Sequence, residues 1–594
     1  MGVSSPVSPP AKKPSKPKPV LPPRAPSSRK SIHPKDKDKD FVYAAKASNM
    51  SFKKADAKHG QVATDSGALE IGTILDRNVL VPVHYSDLSQ KQRAEVIISF
   101  TFFKEKFLVS GELEKLKARL VAGGHMVDSQ SLGDISSPTV KTESVFLLHA
   151  LAARLGLHIS CMDVTAAYLN TKLPEEQRIA MRLGPEETRV VIKLRPNWGK
   201  YVNSKDGTML VLVVGGLYGL PQAALLWYDE FSSTLISLGY QPTVMDKCVF
   251  VKFNERGKRS FIAVHVDDAM HVYDCLQFQR ELLEGLESKY GKLTVQSGDV
   301  GIYVGVEYSY NRSDKSVKLT MLKYLSKLLE DYQIKNTVDT PSPSNLMEYD
   351  GSLPKVDAKK YASLVMSIYY ASLRVRPDTL FTVNYLSTRS KDATSHEFKC
   401  AVRLLKYFKK TLSVGLVLRP SGTTLHFYVD ASFGIHPNGR SHSGSCVSLG
   451  GEYPSLGLDG AFFCRTAVQK FVTVSSTEAE MSAVYDLHQY IAFFRQLLSE
   501  LGIDQTKPSL VLQDNAAAEL NFTRVGGPRG RTMPLNVRYY YIVELIEDGV
   551  IRIAKIDTAD MLADILTKPF SSREDLQLVQ RLLNDASWMA YEDL

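Results

Sequence analysis

Six cysteines are spread through 594 residues, at Cys161, Cys248, Cys275, Cys400, Cys446 and Cys464. None falls in a CxxC pair or a Cys/His cluster, which excludes a disulfide framework and a zinc module as organising devices. A reducing compartment is therefore expected. No apolar run reaches the roughly eighteen residues a membrane helix needs, and the first residues lack the apolar core of a signal peptide. Met1-Gly2 begins like a myristoylation signal, yet Pro6 stands where Ser or Thr is required. Positive charge is scarce too, once located: residues 1–40 hold ten Lys/Arg against three Asp, so seven of the nine net charges lie there and the body is nearly neutral.

Those forty residues also contain ten prolines and few large apolar side chains, so they cannot bury a core. They read as a disordered basic tail, either a solvated linker or an arm drawn to polyanions. The chain as a whole is 44% hydrophobic, enough for large cores, and its length predicts about three to five units.

The stretch FIAVHVDDAMHVY (261–273) carries adjacent carboxylates, Asp267 and Asp268, between two apolar runs. Ile262, Val264 and Val266, then Met270 and Val272, read as two short strands meeting at the aspartates. Asp-Asp there is either ordinary turn chemistry or part of a Mg²⁺ site built from hard oxygen anions on rigid strands. A metal site needs a third carboxylate. HISCMDVTAAYLN (158–170) supplies one at the end of another apolar strand, Asp163, with Tyr168 expected five residues along the same strand. The bland alternative for Asp163 is a helix cap. Asp…Tyr followed about a hundred residues later by a hydrophobic hairpin with Val-Asp-Asp at its turn resembles the palm of reverse transcriptases.

The segments KARLVAGG (117–124), DVTAAYLN (163–170), GLYGLPQAALLWYDEF (216–231), GYQPTVMDKCVF (239–250), HVDD (265–268), GIYVGVEY (301–308) and ASLRVRPDTLFTVNYLS (371–387) extend that likeness. In this order they resemble the reverse transcriptase and RNase H portion of copia-type LTR retrotransposon polyproteins, over roughly residues 76 to 570. The resemblance implies that Asp163, Asp267 and Asp268 hold two Mg²⁺, with Mn²⁺ as the substitute, for nucleotidyl transfer. Lys117 and Arg119, two apart and so on one face of a strand, would meet the triphosphate; a basic edge strand is the alternative. Gln222 would touch nucleotide and template, or else be a polar helix N-terminus after Pro221. Tyr168 would exclude a ribose 2′-hydroxyl, or else be a core aromatic.

A second set of carboxylates follows residue 420. TTLHFYVDASF delivers Asp430 on a strand; SGSCVSLGG and AFFCRTAV read as two more strands; residues 475–502 read as one long amphipathic helix. SLVLQDNAAAELN places Asp514 at a strand end, and TADMLADILTKPF brings Asp564 on a helix. This βββαβα order with acids at those ends resembles RNase H, which gathers four such acids around two metals. Glu478 and Glu480 point in different directions. Glu480 is the expected ligand because Glu480-Met481-Ser482-Ala483 matches the family's Glu-x-x-Ala, while Glu478 in the first turn suits the helix dipole. Each acid alone could be a cap or surface charge.

Three departures from the family stand out: His265 before Val266, Pro221 where Lys is common, and Met533-Pro534 in place of a Lys-His pair. The last bears on RNase H turnover. Integrase, aspartic protease and CCHC patterns are missing, so the chain is expected to be a processed C-terminal product or a truncated gene model. The expected fold is α/β and α+β multidomain: a disordered basic tail (1–75), right-hand fingers and palm (76–310), a helical thumb and connection (311–420), an RNase H-like α/β domain (421–575) and a C-terminal tail (576–594). Expected partners are an RNA template, a DNA primer, the RNA–DNA hybrid and dNTPs, without membrane contact, with assembly alongside the element's capsid and integrase. The expected location is the cytoplasm, in a virus-like particle, or the nucleus. The alternative function is a catalytically inactive decayed or domesticated copy that binds nucleic acid or builds particles.

Overall fold

A computed structural model describes residues 50–107, 113–128, 132–453, 457, 459–516, 533–572 and 575–587, leaving out the side chains of 107 and 533–537. The first forty-nine residues of the expected tail, and residues 517–532, lie outside the described residues.

Period-two hydrophobicity sets the central sheet. Its strands run in the order Thr294–Ser297, His158–Asp163, Asp268–Tyr273, Arg259–His265, Val249–Phe253, Gln241–Pro242, all antiparallel. Ile262 and Val264 pack with Trp227, Phe231 and Leu235 of the Ala223–Ser237 helix on one face. Phe261 and Ala263 face the other way, into the core shared by the Thr142–Leu155 helix. Each large apolar side chain fully buried in this way contributes roughly 1.5–3 kcal/mol. With both faces covered the register is fixed, because a one-residue slip would exchange the two apolar sets.

A second sheet carries Met50–Ser51, Ile97–Phe107, Ile179–Leu183, Met209–Val213 and Leu80–Pro82, with Leu113–Ala122 paired to Ile97–Phe107. Here residues 50–75, expected in the tail, are corrected. Met50–Ser51 pairs with Phe102 and Phe103, and Phe52–His59 and Gln61–Asp76 are helices. Gly67, Ile71, Ile74 and Leu75 are buried at helical spacing. That stripe packs Gln61–Asp76 onto the sheet, where Ile71, Ile74 and Leu75 share a core with Leu120.

The expected helical thumb contains a four-stranded sheet, Val300–Tyr303, Val306–Asn311, Ser316–Thr320 and Leu416–Leu418, beside the helices Leu322–Asp331, Ala358–Ser372, Leu380–Thr388 and Ser395–Lys410. The boundary drawn at residue 310 thus falls inside a strand paired on both sides. A last sheet runs Phe463–Val468, His442–Gly450, Thr424–Ser432, Ser509–Gln513, Ile551–Lys555, antiparallel over its first three strands and parallel over the rest. The expected single helix over 475–502 is two, Ser476–Asp486 and His488–Glu500, and Ile551–Lys555 is a strand that the βββαβα reading missed. Residues 576–587 are no tail: Leu576–Leu583 buries Val579, Leu582 and Leu583, and Asp585 pairs with Lys318 at 2.7 Å. No helix among the described residues is long and apolar enough to cross a membrane.

Among the helices Ala358–Ser372, Leu380–Thr388 and Ser395–Lys410 sits a fully buried ion pair. Arg376 donates from Nε and Nη2 to the two carboxylate oxygens of Asp378, at 3.0 and 2.8 Å, and from Nη1 and Nη2 to Thr411. The Tyr407 hydroxyl donates to Asp378 as well. Removing one partner would strand a buried charge, so Asp378→Ala should destabilise the chain by about 3–5 kcal/mol. Denaturant unfolding checks this, and a loss below about 1 kcal/mol would mean that the pair is dispensable.

Candidate active sites

Three acids of the first site come together at one end of the central sheet. Asp163 closes its strand and stands in register with Asp268, the first residue of the neighbouring one. Asp267 lies in the turn between Arg259–His265 and Asp268–Tyr273. That turn is strained: Val266, a β-branched residue, has φ +61°. It is held by Trp227 Nε1, which donates to the Val266 carbonyl at 2.6 Å, and by Val164 N–H, which donates to the Asp267 carbonyl at 2.9 Å. Burial first, then Asp163 and Asp267, push Asp268 up to about 6. Burial and Asp267 raise Asp163, partly offset by Lys117 and Arg119. Both basic residues therefore lie within electrostatic reach of the acids.

Lys117 and Arg119 share the exposed side of Leu113–Ala122, whose alternate residues Leu116, Ala118 and Leu120 are buried. The GLYG turn docks on this strand: Ala122 N–H donates to the Tyr218 carbonyl at 2.7 Å, and Gly219, with φ +89°, leaves only 2.3 Å between a would-be Cβ and the Ala122 carbonyl. Only glycine fits there. Tyr218 consequently lies under the Arg119 guanidinium, 4.3 Å from ring centre to carbon, and its ring meets Tyr168 edge-on at 5.3 Å. Tyr168 is not on the Asp163 strand as expected. The strand ends at Asp163, Ala166 turns the chain with φ +56°, and Tyr168 sits in the Ala167–Asn170 turn, half-buried. Its hydroxyl is raised by burial and then by Asp267. Gln222, at the start of its helix, is 3% exposed, and neither amide atom has a hydrogen-bond partner among the described residues. Glu70, on the helix assigned to the tail, accepts from Leu120 N–H at 3.2 Å beneath the basic pair; nothing in the sequence pointed to it.

The second site is tighter. Asp430, Glu480 and Asp514 present carboxylate oxygens within 4.8 Å of one another, a separation met by no other acid or His/Cys trio among the described residues, the first site included. Asp430 comes from the middle strand, Asp514 from just past Ser509–Gln513, and Glu480 from the first helix. Glu478 stays at the helix start, where its carboxylate accepts from Val474 N–H at 2.7 Å. Asp564 joins from the short turn Leu562–Leu566, close enough to raise Asp430 after burial has done so. Lys568 Nζ donates to both Asp564 oxygens, at 2.9 and 3.0 Å, and Thr567 Oγ1 donates to Asp430. Thr558 donates to Asp514 at 3.0 Å. Thr567 and Lys568 stand three and four residues past Asp564, the helical spacing that could have marked them.

Glu480 carries the test of whether a cation fits. One of its oxygens is buried without a partner, and burial, Asp430 and Asp514 raise it to about 9. A buried, crowded carboxylate with one oxygen unpartnered is the donor set a hard divalent ion satisfies. With divalent ions chelated, the native state binds a proton at Glu480 that the unfolded chain, with its ordinary value near 4.5, releases. Stability should then fall as pH rises from about 4.5 to 9. Melting curves in chelator should show that decline, Mg²⁺ should reverse it, and Glu480→Gln should flatten it. An undiminished decline in Glu480→Gln would place the titrating group elsewhere. The Met533-Pro534 departure lies where side chains are not described.

Residues 89–345 match the family model described as reverse transcriptase (RNA-dependent DNA polymerase). The chain is 28% identical over 471 residues to the retrovirus-related Pol polyprotein from transposon TNT 1-94 of Nicotiana tabacum, covering 77% of this chain and 33% of that one. It is 28% identical over 478 residues to the Pol polyprotein from transposon RE1 of Arabidopsis thaliana, covering 79% and 30%. The chain spans about a third of the length of these relatives. Among solved structures, LC11-RNase H1 in complex with an RNA/DNA hybrid is 15% identical and covers 24% of this chain and 92% of that one, with a TM-score of 0.18. The N-terminal RNase H domain of rv2228c from Mycobacterium tuberculosis is 15% identical and covers 25% and 91%, also with a TM-score of 0.18.

Proposed function

We propose, from the premise that this chain is related to copia-type retrotransposon Pol polyproteins over most of its length, that it is an RNA-directed DNA polymerase with a separate ribonuclease that cuts the RNA of the RNA–DNA hybrid. The observation that carries this reading is the pair of carboxylate clusters, each gathered around its own sheet. Asp163 and Asp267, with Asp268 beside them, would hold Mg²⁺ in the first, and Asp430, Glu480, Asp514 and Asp564 in the second. When bound, such ions activate the attacking oxygen and stabilise the leaving one in an in-line displacement.

The protein's own groups do the rest. Lys117 and Arg119 present fixed positive charge toward the triphosphate, with Arg119 held over Tyr218. Gln222 offers an unpaired amide to nucleotide or template. Tyr168, wedged against Tyr218 beside Asp267, restricts the space at the sugar. In the second cluster Thr567 and Lys568 orient Asp430 and Asp564, so the acids are in place before substrate arrives. The duplex would be held by backbone and A-like shape rather than sequence.

Since the two clusters use different acids, Asp267→Asn should abolish primer extension on an oligo-primed RNA and leave hybrid cleavage unchanged. Loss of both activities in a folded variant would sink the two-site reading, and wild-type protein inert in both Mg²⁺ and Mn²⁺ would favour the inactive copy. Tyr168→Ala should relax discrimination against ribonucleotides by about 1–3 kcal/mol in the ratio of kcat/KM values. If Tyr168 is only a core aromatic, the variant instead loses roughly 3–5 kcal/mol of stability with sugar preference intact.

A further inference from the structure

Asp430, Gly444 and Thr466 form one row across three neighbouring strands, each residue directly paired with the next. Cross-strand partners share a face, so all three look toward the turn that carries Asp564. Gly444 leaves the gap in this row: a Cβ there would come within 2.6 Å of Thr567 Cγ2 and 2.9 Å of the Ala563 carbonyl. The turn lies in that gap and is pinned on both sides. On one side Thr567 Oγ1 donates to Asp430. On the other, Thr466 Oγ1 donates to the Leu566 carbonyl at 2.6 Å.

The Thr466 hydroxyl has one proton, and the Leu566 carbonyl can only accept. His442 Nε2, 2.5 Å from Thr466 Oγ1, must therefore be the donor in that contact. The Nδ1 of neutral His442 is then an acceptor, so His436 Nε2, at 2.9 Å, must donate to it. The relay runs one way, from His436 through His442 and Thr466 to Leu566, and fixes both tautomers. Burial keeps the two imidazoles neutral, His442 being pushed down to about 3. Phe381 of the Leu380–Thr388 helix packs against the His442 ring at 4.8 Å. Nothing else in the second cluster explains why two histidines are buried behind it.

We propose that Thr466 and His442 are positioning residues of the second site: by holding the Leu566 carbonyl they seat the 564–568 turn, and through it Asp564, against Asp430. This rests on the reading of that cluster as a metal-dependent ribonuclease. Thr466→Val keeps the shape and removes the hydroxyl, while Thr466→Ser keeps the hydroxyl. In the full chain, Thr466→Val should speed amide hydrogen exchange over residues 562–568 and raise the half-saturating Mg²⁺ for hybrid cleavage by about tenfold or more, the usual effect of losing a group that orients a metal ligand. Primer extension should be untouched, and Thr466→Ser should behave as wild type. Unchanged exchange and Mg²⁺ dependence in Thr466→Val would overturn the inference, as would equal damage in Thr466→Ser. If Thr466→Val fails to fold, the comparison moves to His442→Gln, which keeps an N–H near Nε2, against His442→Met, which does not: faster exchange and a raised Mg²⁺ requirement in His442→Met alone support the positioning, and equal behaviour of the two overturns it. Wild-type protein that never cleaves hybrid would refute the ribonuclease reading alone, since the exchange comparison still decides the positioning.

Discussion

Asp163 and Asp268 face each other across adjacent antiparallel strands, and their repulsion is opposed by a ladder of six paired residues and two apolar faces. The same condition recurs where Asp430, Glu480 and Asp514 crowd within 4.8 Å. Burial first, and then this crowding, disfavours their ionisation and shifts Asp268 and Glu480 upward. Only a rigid frame prevents them from moving apart. Much of the surrounding structure can be understood as that frame: strands that cannot slip, turns that are pinned, and glycines that let one segment press on another.

The two sites meet this demand differently. In the first, repulsion is softened from outside, by Lys117 and Arg119 on a strand of another sheet, themselves steadied by Tyr218 and underlain by Glu70. Fixed positive charge there leaves room for an anionic ligand. In the second, softening is built in, since Lys568 and Thr567 come from the same turn as Asp564. Among the described residues, the cation that acts on Asp430 is that same Lys568. This contrast supports the proposal that the first site receives a triphosphate and the second a diester already inside a duplex.

Much of this was legible in the sequence, for identifiable reasons. Asp163, Asp267, Asp430 and Asp514 stand at the ends of β-branched apolar runs, where strand periodicity stops and a charge is conspicuous. Glu480 was separable from Glu478 because helical geometry turns residues two apart in different directions. Tyr168 was placed on the wrong element because αL backbone at Ala166 carries no sequence signal when the residue is not glycine. Residues 50–75 were lost to the tail because Lys, Asp and Ser outnumber the apolar stripe of Ile71, Ile74 and Leu75. The sheet where a helical thumb was expected was hidden because Leu416–Leu418 pairs with Ser316–Thr320 about a hundred residues away. Glu70, Thr466 and His442 are invisible for the same reason: their meaning arises only from partners distant in sequence.

Long-range packing also sets how independent the two sites can be. One apolar core runs from the Thr142–Leu155 helix and Phe261 through the helices of residues 322–410 to Phe427, Phe494 and Leu566. Polar contacts follow the same path: Lys141 lies 4.1 Å from the Phe493 ring, and Glu500 accepts from Val244 N–H at 2.9 Å. Losses of stability among these helices, such as at Arg376, are therefore shared by both sites. Charge is not shared in this way: the acids that raise Asp163 and Asp268 belong to the first cluster, and those that raise Asp430 and Glu480 belong to the second. Substitutions of acids should then act locally, while substitutions in the common core act on everything, and this difference allows chemistry at each site to be separated from the folding that supports both.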